Sequence, residues 1–418
     1  MEIKKIYSLY AVHYLVDTDT RNIRKNTLFF ALKGDHFNGN KFANEALKNG
    51  AAYAIIDEKE FDTSSKTILV PNVLEMLQQL ARYHRLQLKI LVIALTGSNG
   101  KTTTKELLNC VLSETYKTTA TVGNLNNHIG VPLTLLSMTP KTEIGIVEMG
   151  ANHQEEIAFL CEIAQPDYGY ITNFGKAHLE GFGSLEGVIK GKSELYTYLN
   201  KKNKTAFINP NDALQVEKTT NLKTVSFPNN CVFIAATPYV KLAVAHLEIQ
   251  SHLIGDYNYT NIAAAITIGK YFEVALPKMK KAIEQYTPNN NRSQMITKGS
   301  NQILLDAYNA NPSSMKVALE NFSKIKNPFK TVILGDMFEL GKESDKEHQE
   351  MVNLADSLSF SNTFYVGANF FNTTTKNNTF ETFEALQECI QKKPLENQSI
   401  LIKGSRGMQL ERILELIH

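Results

Sequence analysis

Three α/β domains, the middle one built around a P-loop ATPase-type parallel sheet, are the fold that this sequence predicts. Three observations point there. The chain has 418 residues, more than one ordinary core organises, since single cores stop growing beyond about 250–300 residues. Short apolar runs suited to buried parallel strands alternate with amphipathic helical stretches along most of its length. One of those runs, ILVIAL at 90–95, leads straight into TGSNGKTTTKE, a glycine-bearing turn that opens a helix.

The first region, 1–80, reads as a small α/β unit. NTLFFAL (26–32) is strand-like, NKFANEALKNGA (40–51) is a helix closed by Gly50, and YAIID (53–57) is a strand again. The second region, 81–290, carries ILVIAL, IGIVEMG (144–150) and YGYITNFG (168–175), with helical stretches between them, which implies a parallel sheet. A polar stretch, YTPNNN (286–291), suits a linker to the third region, 291–418. There ILLDAY is followed by a helix from Pro312, and TVILGDM by a helix near 345–358. TFYVGA is followed by ETFEALQECIQ, and ILIKGS by MQLERILELI. Four strand–helix pairs make a doubly wound, Rossmann-like domain. FFNTTTKNNTFET (370–382) reads as a polar loop.

Composition narrows the function classes. Apolar content of 43% with 21% charged residues fits globular cores. A net charge of +2, with no basic stripe interleaved with aromatics, argues against a nucleic-acid surface. The four cysteines, Cys110, Cys161, Cys231 and Cys389, form no C-x-x-C pair, which argues against a disulfide framework or a thiolate zinc site and fits a reducing compartment. The opening MEIKKIYSLY has no apolar run long enough for a signal peptide, and no stretch approaches the ~18 apolar residues of a membrane span. A cytoplasmic chain with no membrane partner is expected.

The turn after ILVIAL is where the chemistry starts. In the general phosphate loop, G-x-x-x-x-G-K-[ST], Gly100, Lys101 and Thr102 fit, but Leu95 stands at the first glycine and Gly97 is displaced. Backbone N–H groups of Gly97, Ser98, Asn99 and Gly100, with those of Lys101, Thr102 and Thr103 at the helix start, favour a phosphate group. Lys101 then reaches the terminal phosphates as a point charge, and the Thr102 hydroxyl meets Mg²⁺. Glu148 ends the apolar strand 144–147, the place from which a carboxylate reaches such a metal. His178 lies just beyond the strand 168–172, at the crevice where the carboxyl ends of parallel strands gather. Lys192, in VIKGKSELY, reads from pattern alone as a solvated helix lysine.

Taken together, TGSNGKTTTKE, TVGNLNNHIGVPLTLL (121–136), VEMGA (147–151), NFGKAHLEGFGS (173–184) and GDYNYTNIAAA (255–265) resemble the Mur ligase family. In that family the displaced glycine is the normal form of the loop. DAYNANPSSM (306–315), LGDMFELG (334–341) and KGSRGMQLE (403–411) resemble the members that add D-alanyl-D-alanine to a muramoyl tripeptide, and the Asp-Asn-Pro-Arg string of the member that adds the third amino acid is absent. The resemblance implies an ATP-dependent ligase of peptidoglycan precursor synthesis, acting as a monomer through an acyl phosphate. Its substrates would be UDP-N-acetylmuramoyl-tripeptide and D-alanyl-D-alanine. Lys101 and Thr102 would bind ATP phosphates and Mg²⁺, with Glu148 and His178 as further metal ligands. Lys192 matches a lysine carbamoylated by CO₂ that supports a second Mg²⁺. Asn258 and Asn261 match residues near the adenine, and Arg292 and Asp306 match contacts to phosphates and ribose. Asn124, Asn126 and Asn127 would line the sugar–peptide substrate, with Thr20, Arg21, Lys33 and Gly34 in the uridine pocket. Asn309, Asn311, Ser405 and Arg406 lie on loops that are candidates for dipeptide recognition.

The sequence departs from the family twice. Asn38-Gly39-Asn40 stands where Asp-Gly-His is usual, and NNNRSQ (289–294) lacks the glycine that commonly precedes the arginine. Two rival readings compete: a sister ligase adding a single amino acid, and a regulatory ATPase whose turnover drives a partner.

Overall fold

In the computed structural model, which describes residues 3–289 and 291–417, three mainly parallel sheets follow one another along the chain. Asn290, within the expected linker stretch, lies outside the described residues. The first sheet runs Val16–Asp17, Leu28–Phe30, Tyr53–Ile56, Thr67–Leu69. All of Leu28, Phe29 and Phe30 are buried because both faces are covered. Leu28 and Phe30 face the cluster under helix Val73–Gln87, and Phe29 meets Ala43 and Ala46 of helix Ala43–Lys48. The helix expected over 40–51 is shorter, preceded by a 3₁₀ turn at Gly39–Phe42 that the Asn38 side chain caps. Helix Val73–Gln87, capped by Asn72, joins the first two domains. Its Leu77 and Leu80 share a core with Ile6 and Tyr10. From the same cluster His84 Nε2 reaches the Met138 carbonyl at 2.9 Å, and the Tyr10 hydroxyl donates to the Leu136 carbonyl at 2.7 Å.

The central sheet is fully parallel, in the order Lys223–Ser226, Thr205–Ile208, Tyr168–Ile171, Leu91–Thr96, Ile144–Glu148, Thr118–Ala120. Strand Leu91–Thr96 is its switch point, with later strands laid down on both sides. Register brings Leu95 opposite Glu148 and Thr96 opposite Ile171, so three carboxyl ends stop at one edge. Such an edge is where open α/β sheets place ligands.

One addition went unanticipated. Cys231–Ala236, Tyr239–Val244 and Leu247–Ile254 form an antiparallel meander beside the parallel sheet. Its signal is plain in YVKLAV, where Val240, Leu242 and Val244 are buried and the residues between them are half-buried.

The third sheet runs Gln294–Lys298, Asn301–Asp306, Ser399–Lys403, Lys330–Gly335, Asn362–Val366, Asn378–Phe380, with only the first strand antiparallel. The last strand in sequence, Ser399–Lys403, inserts beside the first parallel one. This brings the loops after Asp306 and Lys403 together. Two expectations are corrected here. MQLERILELI forms 3₁₀ turns, Arg406–Met408 and Leu410–Leu416, in place of an α-helix. Gln409 adopts φ 49°, which interrupts a helix, and Leu410 and Ile413 are buried at the three-residue spacing that suits 3₁₀ geometry. The stretch 370–382 is not all loop: it ends helix Ala368–Phe371 and supplies edge strand Asn378–Phe380.

Asp336 of LGDMFELG is a structural carboxylate. Buried, it accepts from the Asn369 backbone N–H and side-chain amide and from the Phe370 N–H, all at 3.0 Å. Asp336→Ala leaves those donors stranded, so it is expected to reduce stability by about 2–4 kcal/mol in urea unfolding. An unchanged midpoint would contradict this role.

Candidate active site

The phosphate loop is shaped by what lies behind it. Gly97 has φ +138°, and a Cβ there would sit 2.0 Å from Thr172 Oγ1. Gly100 has φ +79°, and its Cβ would meet Asn261 Oδ1 at 2.7 Å. The segment after strand Tyr168–Ile171 braces the loop. Ser98 N–H donates to the Asn173 carbonyl at 3.0 Å and Asn99 N–H to Asn173 Oδ1 at 3.1 Å. The Thr172 hydroxyl donates to the Asn99 carbonyl at 2.6 Å. Leu95 is still strand, buried and paired, so the first glycine of the general pattern is not needed there.

Helix Lys101–Ser113 starts at once. Lys101 Nζ curls back to donate to the Gly97 carbonyl at 2.7 Å. Burial lowers its pKa; Glu148 opposes this and Arg292 adds to it. The Thr102 hydroxyl donates to Glu148 Oε2 at 2.9 Å, and Asn126 Nδ2 donates to Glu148 Oε1 at 2.8 Å. Glu148 is only 1% exposed. Asn124, Asn126 and Asn127 come from the loop beside it and line the same cavity. Asn127 Oδ1 also accepts from the Ile129 and Gly130 N–H groups, which sets the loop's exit.

Lys192 overturns the solvated reading. It sits in helix Leu185–Lys201 with 0% exposure, its Nζ 2.9 Å from the Ala151 carbonyl and 5.0 Å from the Phe182 ring centroid. Burial holds its pKa well below the ordinary lysine range; repulsion from Lys101 adds to this, and Glu156 and Glu194 oppose it. The amine is therefore inclined to be neutral, the nucleophilic form. His178, at φ 53°, lines the cavity, and its Nδ1 lies 2.6 Å from Glu339 Oε2 of the third domain. The close approach of the His178 ring nitrogen holds the Glu339 carboxyl below its usual range, against the opposing effect of burial.

The third domain supplies the opposite wall. Arg292, Asp306, Asn309 and Asn311 all line a cavity of about 1020 Å³, as do Asn258 and Asn261 from helix Asn258–Tyr271. Asn311 Nδ2 donates to Asn99 Oδ1 at 2.8 Å, so the third domain touches the phosphate loop directly. Asn261 accepts from the Thr104 hydroxyl at 3.1 Å and donates to Asn258 at 2.8 Å.

Sequence reasoning missed Lys403, which is buried, lines the cavity and reaches Asp306 Oδ2 at 2.5 Å. The signal that picked out Glu148, a charged residue closing an apolar strand, is present in ILIK as well. It also passed over Tyr308, which lies in the same wall.

Other expected residues lie elsewhere. Ser405 and Arg406 do not line the cavity: Ser405 Oγ accepts from the Phe338 N–H at 2.8 Å, and Arg406 pairs with Glu411 at 3.1 Å. Thr20, Arg21, Lys33 and Gly34 belong to the first domain and also stand apart from this cavity. Arg21 pairs with Asp19 at 2.6 Å and Lys33 with Asp57 at 3.1 Å. Asn40, at the departure from Asp-Gly-His, is buried and exchanges two hydrogen bonds with Asp57, at 2.9 and 3.0 Å.

Among the described residues no three His, Cys, Asp or Glu side chains gather to hold a metal by themselves. Thr102 and Glu148 nevertheless offer adjacent hard oxygens, and Mg²⁺ is commonly held by one or two such groups with phosphate oxygens and water completing the shell. The residues fit that ion.

A phosphate loop at the switch point of a parallel sheet, faced by a Rossmann-like domain, defines a nucleotide-dependent three-domain protein. The chain belongs to the Mur ligase family. Residues 95–269 match the Mur ligase middle domain, 291–406 the Mur ligase glutamate ligase domain and 13–85 the Mur ligase family catalytic domain. It is 32% identical to the UDP-N-acetylmuramoyl-tripeptide–D-alanyl-D-alanine ligase of Bacillus subtilis, over 96% of this chain and 92% of that one. Its structure is similar to that of MurF from Acinetobacter baumannii, with TM-score 0.84 and 32% identity, covering 96% of this chain and 92% of that one. It is also similar to MurF from Thermotoga maritima in complex with ADP, with TM-score 0.84, 26% identity and 96% of both chains covered.

Gly97→Ala tests the loop. A Cβ clash at a backbone angle that L-residues avoid is expected to weaken binding of a fluorescent ADP analogue about tenfold or more. Wild-type affinity in that variant would contradict the brace described above.

Proposed function

We propose that this chain joins D-alanyl-D-alanine to the peptide carboxylate of UDP-N-acetylmuramoyl-tripeptide, consuming ATP, in the supply of peptidoglycan precursors. The observation that carries the reading is the shared cavity. The phosphate loop, the Glu148–Asn126 pair and the third-domain residues Arg292 and Asp306 face one space. Relatives named for this reaction match nearly the whole chain. Dependence on ATP and a nucleotide-linked precursor fits the cytoplasm, and no helix among the described residues is long and apolar enough to cross a membrane.

A carboxylate is a poor electrophile at neutral pH, so it must first be activated. In this reading a carboxylate oxygen attacks the γ-phosphorus of ATP, the bond to the β–γ bridging oxygen breaks, and ADP leaves. The product is an acyl phosphate. The D-alanyl-D-alanine amine then attacks the acyl carbon, the tetrahedral adduct expels inorganic phosphate, and the amine's proton is lost to form the amide. Two anions must meet in the first step. Lys101 and Arg292 supply positive charge at that point, and the loop N–H groups orient the phosphates. Asp306 suits ribose hydroxyls, and Asn258 and Asn261, the latter bonded to Thr104 of the phosphate helix, suit contact with the adenine. Asn124, Asn126 and Asn127 line the sugar–peptide end, with Thr20, Arg21, Lys33 and Gly34 holding the uridine end on the first domain. Asn309 and Asn311, which line the same cavity, are the candidates for contact with the incoming dipeptide.

Mg²⁺ held by Thr102 and Glu148 would neutralise phosphate charge, with His178 available once turned from Glu339. A second Mg²⁺ would require an anion near Lys192. The buried amine of Lys192, whose burial disfavours the ammonium form, suits carbamoylation by CO₂, which would put a carboxylate-like group in its place near Lys101.

Phosphate release is expected only when ATP, UDP-N-acetylmuramoyl-tripeptide and D-alanyl-D-alanine are all present, and single amino acids should not replace the dipeptide. Release without the peptide nucleotide would instead favour the regulatory ATPase. With carbon-13 bicarbonate, a carbamate carbonyl signal is expected in the wild type and not in Lys192→Ala, which should keep its fold and lose most ligation. Full ligation in that variant would remove the carbamate's role.

A further inference from the structure

Two arginines flank one aromatic ring, and their surroundings differ. The Arg292 guanidinium carbon lies 3.7 Å from the Tyr308 ring centroid, and that of Arg406 lies 5.8 Å away. Arg406 is exposed and pairs with Glu411 at 3.1 Å. Arg292 forms no ion pair of 4.0 Å or less among the described residues, and its Nε is buried without a hydrogen-bond partner. Both Arg292 and Tyr308 line the large cavity, whereas Arg406 does not.

A protein can fix a guanidinium in two ways. A carboxylate holds it by its N–H edge, which occupies the donors and cancels the charge. An aromatic face holds it by its flat side, which leaves donors and charge available. Arg406 is held in the first way and Arg292 in the second. The backbones that carry ring and guanidinium are tied to each other: the Tyr308 N–H donates to the Asn291 carbonyl at 3.2 Å, and the Ser293 N–H donates to Asp306 Oδ1 at 3.0 Å. The two segments therefore run side by side, which brings the ring against the guanidinium. The charge of Arg292 is felt at Lys101 across the cavity.

We propose that Tyr308 is a positioning residue for the ligation. Its ring holds the Arg292 guanidinium flat, with its N–H edge and full charge reserved for the phosphoryl group in transfer. This rests on the reading that Arg292 meets the phosphates. An arginine held in place before the substrate arrives needs no reorganisation when charge develops, so the benefit appears in kcat more than in substrate affinity.

The test is steady-state kinetics on Tyr308→Phe, Tyr308→Leu, Arg292→Ala and the Tyr308→Leu/Arg292→Ala double variant. Tyr308→Phe keeps the ring and is expected within about twofold of wild type. Tyr308→Leu is expected to lower kcat about tenfold, with KM for the peptide nucleotide unchanged. In the Arg292→Ala background the leucine should cost less than about twofold more, because the ring then has nothing to hold. If Tyr308→Leu does not fold, Tyr308→Gln, which is polar but lacks the ring, carries the same expectation. The inference is overturned if Tyr308→Leu keeps wild-type kcat, if Tyr308→Phe falls as far as Tyr308→Leu, or if the two losses multiply. Loss in Arg292→Ala with none in Tyr308→Leu sinks the inference alone. Wild-type kcat in Arg292→Ala removes the arginine's phosphate role, and the inference with it.

Discussion

The seating of residues 97–100 against residues 172–175 is the constraint from which the rest of the site follows. Two parallel strands end side by side, and the loop leaving one is hydrogen-bonded along the loop leaving the other. Only a glycine fits at 97, because Thr172 stands where a side chain would be. Once the loop is seated, helix Lys101–Ser113 begins at a fixed point, Lys101 turns inward and Thr102 meets Glu148. The third domain docks on the same bracing segment. Lys176 N–H donates to Ser313 Oγ at 2.8 Å, Lys176 Nζ pairs with the buried Glu347 at 2.5 Å, and Glu180 N–H donates to the Glu339 carbonyl at 3.0 Å. One short stretch of chain thus positions both the phosphate cradle and the domain that faces it, an arrangement suited to excluding water from a labile intermediate.

The electrostatics tell a matching story. Lys101 and Arg292 approach one space that Glu148 floors, and Lys192 is buried behind it. Buried cations without equal countercharge are costly, and proteins keep them where an anion is to be received. For Lys192 burial, with repulsion from Lys101, disfavours the charged form and pulls its pKa down. A lysine that cannot comfortably stay charged is a reasonable place for CO₂ to add, because the neutral amine is the reactive form.

Much of this was legible in the residues, for identifiable reasons. Runs such as ILVIAL and TVILGDM announced buried parallel strands, since both faces of those strands are covered and no alternation is required. The displaced glycine read as a working loop from the resemblance, and the brace by Thr172 supplies the physical reason. Other features depended on partners distant in sequence. Lys192 looked solvated because nothing in VIKGKSELY reveals that Ala151 and Phe182 close over it. His178 faces Glu339, which lies far along the chain in the third domain. The stacking of Arg292 on Tyr308 requires the register between the segments 291–293 and 306–308. Lys403 could have been found by the rule that selected Glu148, and the antiparallel meander by the period-two pattern in YVKLAV. The C-terminal 3₁₀ turns were hidden because their apolar spacing also fits an α-helix.

The central claim is that the peptide's terminal carboxylate is activated by taking the γ-phosphoryl group. Oxygen-18 placed in that carboxylate of UDP-N-acetylmuramoyl-tripeptide tests it most directly. Transfer through an acyl phosphate leaves one labelled oxygen in each inorganic phosphate released, in step with amide formation. Amide product accompanied by phosphate free of the label would contradict the account.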